Sequence, residues 1–118
     1  MIVSKDVGKF LNDYIDSLCF LGKLQVDALK EMVDYKGQGS EYVSCSFDPE
    51  DEDFRDGYVT LYFWKPAAEE DIMVFVENER FFNALFEVSE RCMKGETQNR
   101  NELEEYLNKL RAALNISQ

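Results

Sequence analysis

The sequence predicts an α+β fold: a single domain over residues 1–118 with two helices, a three-stranded antiparallel sheet and two closing helices. Two observations predict it. Apolar residues recur at spacings of three and four near both ends of the chain and alternate by two in the middle. The chain has 118 residues, 45% hydrophobic and 14% aromatic, which suits one packed core and leaves little room for a second.

The first helix is expected to be capped by Ser4 and to run to about Cys19, with Val7, Phe10, Leu11, Tyr14, Ile15 and Leu18 on one face. Gly22 interrupts. Leu24, Ala28, Leu29, Met32 and Val33 mark a second helix, ended by Gly37-Gln38-Gly39-Ser40. Val43, Cys45 and Phe47 then alternate with Ser44 and Ser46, which is strand spacing. Tyr58 to Trp64 is β-branched and aromatic, the strongest strand signal in the chain. Val59, Leu61 and Phe63 share one face; Tyr58, Thr60, Tyr62 and Trp64 share the other. Pro66 closes that strand, and Ile72 to Val76 forms the third. Short connections make all three antiparallel.

Helical spacing returns with Phe81, Phe82, Leu85, Phe86, Ser89 and Cys92, with Asn78 as cap and Gly95 as stop. The three phenylalanines are expected in the core. Asn101 and Glu104 resemble a capping box before a last amphipathic helix carrying Leu103, Tyr106, Leu107, Leu110 and Leu114.

Lys and Arg number 13 against 24 Asp and Glu, a formal net charge of −11. Such a surface repels phosphate backbones and anionic bilayers, so neither nucleic acid nor membrane is an expected partner. It favours fast encounter with a basic protein. No apolar run is long enough to cross a bilayer, and the opening MIVSKDVGKF lacks a secretory leader's basic and apolar regions. A cytoplasmic protein is expected.

There is no histidine, which removes the usual base near neutral pH and the common zinc sites. No phosphate-binding or dinucleotide glycine motif occurs. Cys19, Cys45 and Cys92 form no CxxC pair and read as reduced, buried thiols. With Gly57 at the sixth position of a calcium loop, Phe54 would fall on a ligand position and Phe63 on the closing acid, so that motif fails. No cofactor, metal site or catalytic residue is expected. An enzyme built on paired carboxylates is a minority reading, because acids this abundant meet by chance.

The stretch FDPEDEDFRDGYVTLYFW sets the functional question. Six carboxylates crowd between Asp48 and Asp56, relieved only by Arg55. A solvated loop is the commoner meaning of such a run. Yet the acids repel one another, and Phe54 sits inside the cluster with Tyr58 just beyond it, as apolar anchors within a charged rim. The candidate partner-binding set is therefore Asp48, Glu50, Asp51, Glu52, Asp53, Phe54, Asp56, Tyr58, Tyr62 and Trp64. The competing expectations are that Phe54 tucks into the core and that a helix covers at least one of Tyr58, Tyr62 and Trp64.

The segment DGYVTLYFWKPAAEEDIMVFVENERFFNALFEVSERCMKGETQNRNELEEYLNKL, roughly the C-terminal half, resembles the ribonuclease-toxin immunity proteins (CdiI type) of bacterial contact-dependent growth inhibition. The likeness lies in a strand-turn-strand unit, then VFVENERFFNAL leading into a helix, then an acidic last helix opening NRNELEEYL. It implies a cytoplasmic, non-catalytic protein that binds and blocks the nuclease domain of its cognate toxin. The expected partner is a basic toxin domain, held by a monomer in a 1:1 complex, with the acidic surface excluding RNA. The alternative is an acidic secretion chaperone of the type III kind, a dimer holding an extended effector segment.

Overall fold

The computed structural model describes residues 1–20, 23–93 and 100–116, the side chains of 92 and 93 excepted. Its elements are β1 (Ile2–Val3), α1 (Val7–Ser17), β2 (Cys19–Phe20), β3 (Lys23–Leu24), α2 (Val26–Tyr35), β4 (Gly37–Gly39), β5 (Val43–Ser46), β6 (Tyr58–Phe63), β7 (Ile72–Glu77), α3 (Asn78–Met93) and α4 (Arg100–Ala113).

The expected three-stranded sheet is corrected to five strands in the order β1-β7-β6-β5-β4, with β2 and β3 forming a separate two-stranded ribbon. Nor is the sheet wholly antiparallel, because β1 runs parallel to β7. The three strands foreseen form its centre. Both additions lie at its edges and carry little pattern. β1 is two residues long, tied by Ile2 N–H to the Asp71 carbonyl and Ser4 N–H to that of Met73. β4 is Gly-Gln-Gly, which reads as a helix stop. Its glycines are there for space: a Cβ on Gly37 would stand 2.7 Å from the Cys45 carbonyl oxygen across the β4–β5 pair.

Helix ends differ in detail from expectation. Ser4 is not the cap of α1. Its Oγ accepts the Asp6 N–H two residues on, and the helix starts at Val7 and stops at Ser17. Cys19 falls in β2 and is only half-buried. The α2 helix ends because Lys36 turns left-handed at φ 56°, ahead of the glycines. Asn101 lies inside α4, where Glu104 pairs with Arg100 at 3.3 Å, so there is no capping box at that pair. The stops assigned to Gly22 and Gly95, and the burial of the Cys92 side chain, lie outside the described residues.

One face of the sheet makes the core. Val59, Leu61, Phe63, Val74, Val76 and Cys45 pack with the apolar stripes of the helices: Phe10, Leu11, Tyr14 and Ile15 of α1, Leu29 and Met32 of α2, Phe81, Phe82 and Leu85 of α3, and Leu103, Leu107 and Leu110 of α4. Removing those side chains from water is the dominant force holding the layers together. Phe86 departs from expectation: it is 40% exposed and lies against Phe82 at a centroid distance of 6.2 Å. At the centre, the Tyr14 hydroxyl donates to Gln38 Oε1 at 2.7 Å and stands 3.0 Å from Cys45 Sγ, so the phenol entering the core brings its partners with it.

Candidate functional site

The Asp48–Asp56 stretch is an ordered loop. The Asp48 carboxylate accepts the Glu50 N–H at 3.0 Å, and successive turns close through Asp51 N–H to the Asp48 carbonyl, Phe54 N–H to that of Asp51 and Tyr58 N–H to that of Arg55. Gly57, at φ +85°, makes the bend into β6, a conformation an L side chain rarely adopts. Its carbonyl accepts the Asn78 N–H, joining the loop's exit to the start of α3.

The loop folds over the sheet face turned away from the core. There Thr60 and Tyr62 of β6 are buried, yet Tyr62 lies outside the core cluster. Asp53 of the loop lies over them. Its Oδ2 accepts the Tyr62 hydroxyl at 3.1 Å and its main-chain carbonyl accepts the Thr60 hydroxyl at 3.4 Å. Tyr62 is thus 8% exposed, with Trp64 stacked on it at 5.6 Å and an interplanar angle of 3°. Burial raises the Tyr62 phenol above its ordinary range, and the negative charge of Asp51, Asp53 and Glu52 adds to that. Arg55, the one cation in the run, lies 4.1 Å above the Phe75 ring centroid on the same face and 5.6 Å from that of Tyr58.

The ten candidate residues therefore separate by environment. Asp53, Tyr62 and Trp64 meet on the sheet face and hold the loop down. Asp48 and Asp51 are half-buried turn-formers, while Glu50, Glu52 and Asp56 are exposed. Phe54 and Tyr58, half-buried, line a 220 Å³ depression with Phe47 and the Ala113–Asn115 end of α4. Sequence reasoning passed over Tyr35, which is 74% exposed at the end of α2 and lines a depression with Asp48 and Glu50. Its place at the polar end of the helix carried no signal of that proximity.

Among the described residues no group of three His, Cys, Asp or Glu side chains is placed to hold a metal ion. No described helix is long and apolar enough to cross a membrane. The arrangement offers carboxylates and aromatic surface for another molecule to meet.

Residues 5–107 match the family described as CDI immunity protein. The chain belongs to that family. No curated protein and no solved structure matches it. As a CDI immunity protein it is a binder of a cognate toxin domain and not an enzyme. The match takes in α1 through most of α4, so the N-terminal helices belong to the family unit as much as the C-terminal half does.

Proposed function

We propose that this immunity protein neutralises its toxin by setting the pre-ordered acidic loop against a basic, phosphate-handling surface of the toxin's C-terminal nuclease domain, in a 1:1 complex. The observation that carries the reading is the division of labour within the loop. Asp53 and Arg55 fasten it to the sheet through the Tyr62 hydroxyl and the Phe75 ring, and Glu50, Glu52 and Asp56 make no such contact and stand exposed. A surface already ordered loses less freedom on binding. The net charge of −11 supports long-range attraction to a cationic partner, and charge and bulk together keep RNA from the cleft.

The test is a charge reversal outside the fastening contacts. Glu52→Lys with Asp56→Lys should slow association with the toxin domain by about tenfold at low salt, with a smaller effect at high salt. Association rates that ignore both the substitutions and the salt exclude the loop as docking surface. A free monomer and a 1:1 complex on size-exclusion chromatography are expected. A dimer that binds only an unfolded segment is the behaviour of a secretion chaperone and contradicts the proposal.

A further inference from the structure

Four depressions on the surface adjoin one another. The first lies between the end of α2 and the loop, beside Tyr35 and Glu50. It shares Lys36 and Pro49 with a second, under Phe54. That one shares Tyr58, Asn78 and Leu114 with a third of 650 Å³. The third shares Glu77 and Glu79 with a fourth, between α1 and α3. Through these shared residues the depressions adjoin in series, a furrow that runs from the acidic loop past the end of α4 to the start of α3.

The furrow is acidic along its length. Asp34, Asp48 and Glu50 line one end and Asp56 the middle. Glu77, Glu79 and Glu87 line the other end, and among the described residues that line the furrow Lys36 and Arg80 are the cations. Its middle has further anionic character. The α4 helix ends there with Asn115 left-handed at φ 57°, in a turn closed by Ile116 N–H to the Arg111 carbonyl and Asn115 N–H to that of Ala112. The carboxyl end of a helix favours positive charge. Asn78 Nδ2 donates to the Leu114 carbonyl at 3.1 Å, while its Oδ1 is buried with no hydrogen-bond partner among the described residues. An acceptor left over in this way is rare in a folded chain. Half-buried Phe54 and Tyr58 supply aromatic surface beside these charges, with buried Phe47 and Leu114 behind them.

We propose that this furrow, and not the loop's crest alone, receives a protruding Lys- and Arg-bearing segment of the toxin domain, with one cationic side chain seated between Asp56, Glu77 and the carboxyl end of α4. The inference rests on the toxin-binding function proposed above and names the part of the surface that retains the partner. The loop governs encounter. The furrow, where exposed carboxylates border half-buried aromatic rings, governs dissociation.

The probe is the purified C-terminal domain of the cognate toxin, with rates measured by surface plasmon resonance. Glu77→Lys with Glu79→Lys should speed dissociation by about tenfold or more. Glu102→Lys with Glu105→Lys, the same charge change on an exposed stretch of α4 outside the furrow, should leave dissociation unchanged. The milder Glu77→Gln with Glu79→Gln should shift it in the same direction by less, and thermal melting confirms that each variant is folded. An unchanged dissociation rate for the Glu77 and Glu79 variants overturns the inference, as does an equal change in the Glu102 and Glu105 control. If the unaltered chain does not bind the toxin domain at all, the proposed function falls as well.

Discussion

The Tyr62 hydroxyl donates to Asp53 Oδ2 across 3.1 Å, from the middle of the sheet to the middle of the acidic loop. This bond turns the densest negative charge in the chain into a fixed surface. Placing six acids next to the best strand makes sense on that basis: the strand supplies the phenol that holds them.

Tyr62→Phe tests the relationship directly. It keeps the ring and its stacking with Trp64 and removes only the donor. A hydrogen bond to a charged acceptor stabilises by about 1.5–3 kcal/mol, and the half-exposed Asp53 places this one near the lower figure. Urea unfolding should show that loss, and amide exchange should quicken from Asp51 to Arg55. Unchanged exchange would mean that the loop is held by its turns alone.

Gly57→Ala isolates the bend into β6. A Cβ there meets nothing within 4 Å, so any destabilisation comes from backbone conformation. We expect a loss of about 1 kcal/mol, and less for Gly57→Asn, because Asn tolerates positive φ better. Equal losses for the two would contradict this account.

Alkali should destabilise the protein through its buried acids. Burial pushes the Cys45 thiol from 9.0 up to about 12, against hydrogen bonds from Tyr14 and the Gln38 backbone that lower it. Burial also raises Tyr14 well above its ordinary 10.0. The unfolded chain then releases these protons before the folded one does. Stability is fully present below pH 9 and falls as pH rises towards 12, at about 1.4 kcal/mol per pH unit for the thiol alone once the pH is well above 9. Cys45→Ala should be less stable at pH 7 yet lose stability less steeply between pH 9 and 10. A slope equal to the parent's would rule out the thiol as the source.

Asn78→Ala removes the side-chain donor that reaches from α3 to the Leu114 carbonyl. It should lower stability by about 1 kcal/mol and quicken exchange of the Leu114 to Ile116 amides. If only the first turn of α3 loosens, the tie to α4 is unimportant.

Periodicity revealed the helices and the three central strands because each buries a stripe or face of its own. It could not reveal β1 or β4. Two residues cannot show a repeat, and Gly37 and Gly39 are chosen for backbone proximity, the opposite of the bulky pattern that marks a strand. At the candidate site, the alternation of Tyr58, Thr60 and Tyr62 marks the face of β6 opposite core residues Val59, Leu61 and Phe63, with Trp64 just past the strand's end. What covers that face depends on a return of the chain, from Asp53 to Tyr62, that no local spacing encodes. The furrow was hidden for the same reason, since Phe54, Asn78 and Leu114 come from three distant stretches of sequence.

The sheet's two faces have different obligations. One is committed to the helices, where a change of a single methyl is felt. The other is roofed by a short surface segment gripped at Asp53 and Arg55. Substitution at Glu50, Glu52 or Asp56 leaves the interior untouched, so if the proposed docking mode holds, specificity can be rewritten there without refolding the scaffold. Under that proposal a lineage built this way follows a drifting adversary by exchanging its recognition chemistry while inheriting its architecture.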